Sequence, residues 1–155
     1  MSLHTSAGTT IAISASTPAT FNVAGYTAIG TTFVTIGEIT NGGEFGRVYQ
    51  LITHNALATR GTRKFKGSFD EGDMNLQLGL DTDDAGQILC KTASLSDDDY
   101  SFRVAMPGGD DFYFQAKVMS FRMGIGDVNT VTGATLSLAI TTTAAGVGIV
   151  EDLAA

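Results

Sequence analysis

Cysteine, tryptophan, proline and histidine are nearly missing from this chain, and each shortage narrows what it can be. One cysteine, Cys90, in 155 residues leaves no disulfide framework within the monomer, which points to a reducing, intracellular origin. His4 and His54 are the only histidines. They are too few to complete a zinc site with Cys90, and neither stands at ligand spacing from another candidate. No apolar run approaches the ~20 residues that cross a bilayer as a helix, so an integral membrane protein is not expected. The N-terminal MSLHTSAGTTIAIS has neither a basic n-region nor a continuous apolar h-region, so no secretory signal is expected. Positive charge is scarce as well. Sixteen acids face nine bases, for a net charge of −7, and an acidic chain is poorly equipped to grip phosphates, because counterion release needs Lys and Arg against the backbone.

What is present favours strands. Thr, Ser, Val and Ile are frequent, Gly is abundant, and proline occurs only at Pro18 and Pro107. The length fits one domain over 1–155, with flexible arms at about 1–8 and 142–155; a domain of this size buries roughly 70% of its unfolded surface. Ile11 and Ile13 share a face of a short first strand, and a loop of small residues follows over about 15–32. Residues 33–40 form the next strand, with a twist or bulge near Gly37, because Ile36 and Ile39 do not share a face. The segment 44–61 is ambiguous: 47–53 reads as a strand, 55–61 as a loop, and the whole as a mobile connection or an extended hairpin. Alternation is clear after Thr62. Phe65, Gly67 and Phe69 lie on one face. After a turn at 70–72, Met74, Leu76, Leu78 and Leu80 oppose Asp73, Asn75 and Gln77, so 62–80 reads as a half-buried hairpin.

One helix is expected. It starts near Asp81 or Thr82, with Asp83 and Asp84 in the first turn and Ala85, Ile88, Leu89 and Thr92 or Ala93 as the apolar stripe that docks on the sheet. A second hairpin follows: Tyr100, Phe102, Val104 and Met106 share a face, continued by Phe112, Phe114, Ala116 and Val118. Met119, Phe121 and Met123 then take the opposite parity, which a bulge near Val118 or burial on both faces explains. The last strand alternates over 134–140, and the small, apolar tail is expected to pack on a neighbour. The fold class is therefore mainly β with one α-helix, a β-sandwich or curled antiparallel sheet flanked by a short helix.

Chemistry is sparse. The run from Asp81 to Gly86 has acids at the first and third positions of a calcium loop and Gly at the sixth. Its fifth position is Ala85 and its twelfth Thr92, so a capped helix start explains it better. The acidic runs 97–99 and 110–111 read as solvated turns. Cys90 beside the apolar stripe reads as a small buried hydrophobe, without a nearby His in sequence to activate it. The aromatic face of Phe102, Phe112, Phe114 and Phe121 has acidic neighbours and reads as core, not as a base-stacking platform. No enzyme and no cofactor are expected. Eleven of the 16 acids lie between Asp70 and Asp111 and five of the nine bases between Arg47 and Lys66; that asymmetry suits head-to-tail contact between identical subunits.

The segment KGSFDEGDMNLQLGLDTDDAGQILCKTASLSDDDYSFRV, with the later FYFQAKVMSF and GDVNTVTGATLSLAITTTAAGVG and the earlier IGEIT, GEFGR and THNALATRG, resembles the major tail tube proteins of non-contractile, long-tailed bacteriophages. The similarity runs over about residues 33–148 and carries no catalytic signature. The resemblance implies hexameric rings stacked into a tube, a fold shared with the inner tubes of contractile tails and type VI secretion systems. It implies a late structural protein of the virion tail, assembled in the host cytoplasm, whose partners are its own copies, a tape measure protein, and tail tip and tail terminator proteins. Double-stranded DNA would pass through without specific binding, and nothing would insert in a membrane. An acidic lumen would repel phosphates and let DNA slide. Within that reading, Asp73, Asn75 and Gln77 are candidates to line the lumen, and Arg47, His54, Asn55, Arg60, Val147 and Ile149 are candidates for contacts between rings or subunits. A small β-rich binding or adhesin module and a hydrolase on a β-scaffold are the competing classes.

Overall fold

A computed structural model describes residues 3–154. The main sheet is antiparallel throughout and runs in the order β2 (Val34–Thr35), β1 (Thr10–Ser14), β7 (Tyr100–Ala105), β8 (Asp111–Gly124), β9 (Gly133–Thr141), β6 (Asp73–Gly79) and β3 (Ile39–Asn41). β10 (Val150–Asp152) adds to β8 opposite Asp111–Tyr113, within the segment expected to be a C-terminal arm. β2 and β3 sit at opposite ends of the strand order, yet only residues 36–38 join them. Four Cα–Cα steps span at most about 15 Å, so the sheet has to curl until its ends approach.

Strand parity fills the inside of the curl. Met74, Leu76 and Leu78 of β6 face inward, with Leu136 and Leu138 of β9 and Phe102, Val104, Phe114, Ala116 and Val118 of β7 and β8. The Phe102 and Phe114 rings stack at 5.6 Å, and each large side chain buried in this way contributes roughly 1.5–3 kcal/mol. The parity switch in β8 is a bulge: the register with β9 shifts between Val118 and Ser120, which returns Phe121 to the side of Leu136.

α2 (Ala85–Ser94) closes one side of the curl with only part of the predicted stripe, Leu89 and Ala93, and starts later than expected. Asp84 is the N-cap, and Gly86, Gln87, Cys90 and Ala93 face the sheet while Ala85 and Ile88 are exposed. Two features rotate the helix. A Cβ on Gly86 would lie 2.2 Å from the Thr35 carbonyl oxygen, so only glycine permits this approach. The Gln87 amide is the second, donating to the Gly37 and Gly79 carbonyls at 3.0 and 2.9 Å and accepting from Asp81 N at 3.0 Å. Asp84 completes the stitch, with one carboxylate oxygen accepting from Gln87 N and from Gly37 N, both at 3.0 Å. Residues 33–40 are accordingly two short strands around a loop in which Glu38 has φ 61.

A second helix lies where a loop was expected. α1 (Val23–Ala28) is capped by Asn22, whose side chain accepts from Gly25 N at 2.8 Å, and is followed by a 3-10 turn at Gly30–Thr32. Its anchor is Tyr26, 1% exposed, stacked on Tyr113 at 5.0 Å. Gln115 Nε2 donates to the Tyr26 hydroxyl at 3.0 Å and to Ser101 Oγ at 2.7 Å. α1 thus covers the outer face of β7 and the first half of β8.

The first predicted hairpin is not formed. β5 (Arg63–Asp70) pairs with β4 (Val48–His54) as a separate two-stranded ribbon, while β6 joins β9 and β3. The turn at 70–72 is a junction between the ribbon and the body, shaped by Gly72 at φ 85 and by Asp70 Oδ1 accepting from Gly72 N at 2.8 Å.

Candidate assembly surfaces

The outer face of β6, β9 and the far half of β8 is left uncovered. Asp73, Asn75 and Gln77 lie side by side on it, all exposed, opposite Ala139, Ser137 and Thr135. Lys117, Ser120 and Arg122 of β8 continue the row. Lys117 is paired with Asp99, leaving Asp73 and Arg122 as the other charges among these nine residues. The face is rich in hydroxyls and amides and nearly balanced in charge.

The β4–β5 ribbon is the second uncovered surface, and every one of its residues except Gly67 is exposed. Cross-strand partners share a face, so Tyr49 and Phe69 lie together with Leu51 and Lys66, while Ile52 and Phe65 lie on the other side with His54 and Arg63. Large apolar side chains therefore occupy both faces: Leu51 is 62% exposed, Ile52 48%, Phe65 47% and Val48 67%. An isolated two-stranded hairpin is marginal in water. Here the stiffening is local. The Arg47 guanidinium lies 3.8 Å from the Phe69 ring centroid, Lys66 Nζ 4.8 Å from that of Tyr49, and the Ile52 side chain folds over Gly67.

The predicted contact residues fall in two groups. Arg47 and Ile149 meet at the ribbon's root around Glu71, which is 2% exposed. Glu71 accepts from Arg47 Nε at 2.7 Å and from Ile149 N at 3.4 Å, and Gly148 packs against its side chain. Val147 is near them in sequence, in a turn closed by its backbone and Thr143. His54, Asn55 and Arg60 are exposed at the ribbon's far end. The ribbon's apolar residues and Glu71 escaped the sequence reading. The cluster of five bases between Arg47 and Lys66 marked the segment, but nothing in the sequence singled out these side chains.

The remaining candidate groups are structural. Burial, and secondarily the Asp84 charge, push the Cys90 thiol up to about 12, so it is a protonated core residue at neutral pH. Asp81 accepts from Asp83 N at 3.0 Å and Asp84 caps α2, so two of the three acids before the helix serve its start. Among the described residues no group of three or more His, Cys, Asp or Glu is arranged to hold a metal ion, and no helix is long and apolar enough to cross a membrane.

No family model and no curated protein sequence matches the chain at a significant level. Solved structures do. A chain from the sheath/tube terminator of an extracellular contractile injection system in its extended state aligns with a TM-score of 0.68 at 7% identity, covering 99% of both chains. A chain of the SPP1 tail tube aligns with a TM-score of 0.63 at 14% identity, covering 93% of this chain and 76% of that one. A chain from the tail of an empty gene transfer agent particle, refined with C6 symmetry, aligns with a TM-score of 0.59 at 12% identity over 80% and 87%. The curled antiparallel sheet closed by α2 is the bacteriophage tail-tube fold.

Proposed function

We propose that this chain is a structural, non-enzymatic subunit of a tail tube, forming hexameric rings that stack around a channel for DNA. One observation carries the reading: a chain with the tail-tube fold leaves a whole ribbon of apolar and cationic side chains uncovered. Surfaces of that kind mark protein contact. Self-association supplies the partner, since residues 47–69 are cationic and the rest of the chain strongly acidic.

The ribbon, with Arg47, His54, Asn55 and Arg60, serves contacts between rings, and the C-terminal turn with Val147 and Ile149 serves contacts beside its root. The face of Asp73, Asn75 and Gln77 lines the lumen. Hydroxyls and amides with few charges offer the DNA backbone no row of cations to hold it, so DNA slides through without specific binding. In an assembled tail the further partners are a tape measure protein within the lumen and tip and terminator proteins at the ends. The tail is of the long, non-contractile kind, built in the host cytoplasm.

Electron microscopy of the purified protein tests the reading: hollow tubes or six-membered rings are expected, and a discrete monomer that binds a glycan would favour the β-rich binding module instead. Removing residues 55–58 from the ribbon tip is expected to weaken or abolish polymerisation. Undiminished tubes after that deletion would contradict the stacking role.

A further inference from the structure

The ribbon's apolar residues need a seat, and the opposite end of the molecule offers one of matching chemistry. α2 and the end of β8 enclose an open groove of about 390 Å³ whose apolar lining is Leu80, Ile88, Leu95, Phe121 and Met123, with Asp81 and Lys91 as its charged residues. Ile88, Leu95 and Met123 are 51%, 86% and 49% exposed. Ile88 is outside because Gly86 and Gln87 turn the helix so that Cys90 and Ala93 face the core; Leu95 follows the helix as its C-cap and Met123 lies near the end of β8. The loop after β8 carries Ile125, Val128 and Val131, all strongly exposed, and returns beside the groove, where Leu80 N donates to the Thr132 carbonyl at 2.9 Å.

Charge and geometry both argue for a second copy's ribbon as the occupant. The chain totals −7, so with +5 on residues 47–69 the remainder holds −12. The groove itself is lined by one acid, Asp81, and one base, Lys91; its flanking segments add Asp83, Asp84 and Asp127 against Arg122, so the surround is net acidic. The ribbon leaves the body at Gly72, at the Asp73 end of β6, whereas the groove begins at Leu80, past the Gly79 end. A strand of seven residues is roughly 24 Å long, so the two surfaces stand at opposite ends of the sheet. An interface between unlike surfaces at opposite ends propagates head to tail.

We infer that the β4–β5 ribbon of one copy seats in the α2–β8 groove of the next. This rests on the self-assembly reading and adds to it the receiving site. The test pairs two double variants at exposed positions, Leu51→Asp/Ile52→Asp on the ribbon and Leu95→Asp/Met123→Asp in the groove, followed by sedimentation velocity over a concentration series. Wild-type circular dichroism and melting are expected of both. Should the groove pair fail to fold, Ile88→Lys, at an exposed helix position, carries the same test.

Each variant should raise the concentration needed for assembly by about tenfold or more, and an equimolar mixture should recover association that neither shows alone. A groove variant that assembles like wild type while the ribbon variant does not would overturn this pairing and leave self-assembly standing. A ribbon variant that assembles normally, or a mixture without recovery, would overturn the pairing too. A wild-type chain that stays monomeric throughout would sink both the pairing and the self-assembly on which it rests.

Discussion

Gln87 shows how much one side chain can hold. Its amide bonds two carbonyls and one N–H from two segments, the loop at Gly37 and the stretch from Gly79 to Asp81, and it is 2% exposed. Gln87→Ala leaves those groups without their partner, at a cost of about 2–4 kcal/mol; a lower urea midpoint at unchanged slope is the expected result. Cys90 gives a pH signature. Its pKa rises from 9.0 in a free thiol to about 12 in the folded chain. The folded state therefore keeps a proton that the unfolded state loses. Stability from this group is full below about pH 9 and is lost as pH rises toward 12. The fall between those values should be shallower in Cys90→Val than in wild type, by urea unfolding at each pH. Tyr26 is also raised, mainly by burial, so the comparison with the variant isolates the thiol.

The burial of Cys90 was legible in the sequence, but the role of Gln87 was not. Period counting assigns Ile88 to the core and Gln87 to solvent, and the structure reverses both because a satisfied buried amide and a glycine contact outweigh one exposed isoleucine.

Elements were readable in proportion to how far their faces differ. β6, β7, β8 and β9 alternate between core and exterior or covered faces, so parity located them, and the β8 bulge showed itself as a parity switch. The ribbon was misread for the same reason. Both of its faces are exposed, so the alternation of Phe65 and Phe69 says nothing about which neighbour β5 pairs with. The Asp-Glu-Gly junction looked like a hairpin turn. α1 was missed because its composition is poor for a helix; the Asn22 cap and the Tyr26 anchor hold it. At this scale, Asp84→Ala removes both the α2 cap and the bond to Gly37 N. A loss of about 1–2 kcal/mol is expected, seen as a lowered Tm with the β signature of the spectrum intact.

For the whole molecule, residues outside the core matter most. A monomer with a curled, well-packed sheet nonetheless leaves a ribbon, a groove and a polar sheet face unpartnered. The proposed tube would give each a place: ribbon into groove along the axis, and the polar face toward the channel. Because opposite charges contribute to that contact, assembly should weaken as salt rises from 0.05 to 0.5 M by order of magnitude, as followed by light scattering. An increase with salt would point to purely apolar contact. The fold class could be read from the chain because alternation and turns encode it. The lumen and stacking surfaces could be only nominated, since parity separates two faces without saying which one a neighbour covers.

A cryo-electron microscopy reconstruction of tubes grown from the purified chain tests the central claim most directly. Six subunits per ring are expected, with Asp73, Asn75 and Gln77 facing the channel and the β4–β5 ribbon crossing to the adjacent ring. Failure to form tubes under any assembly condition, or tubes carrying those three side chains on the outer surface, would contradict it.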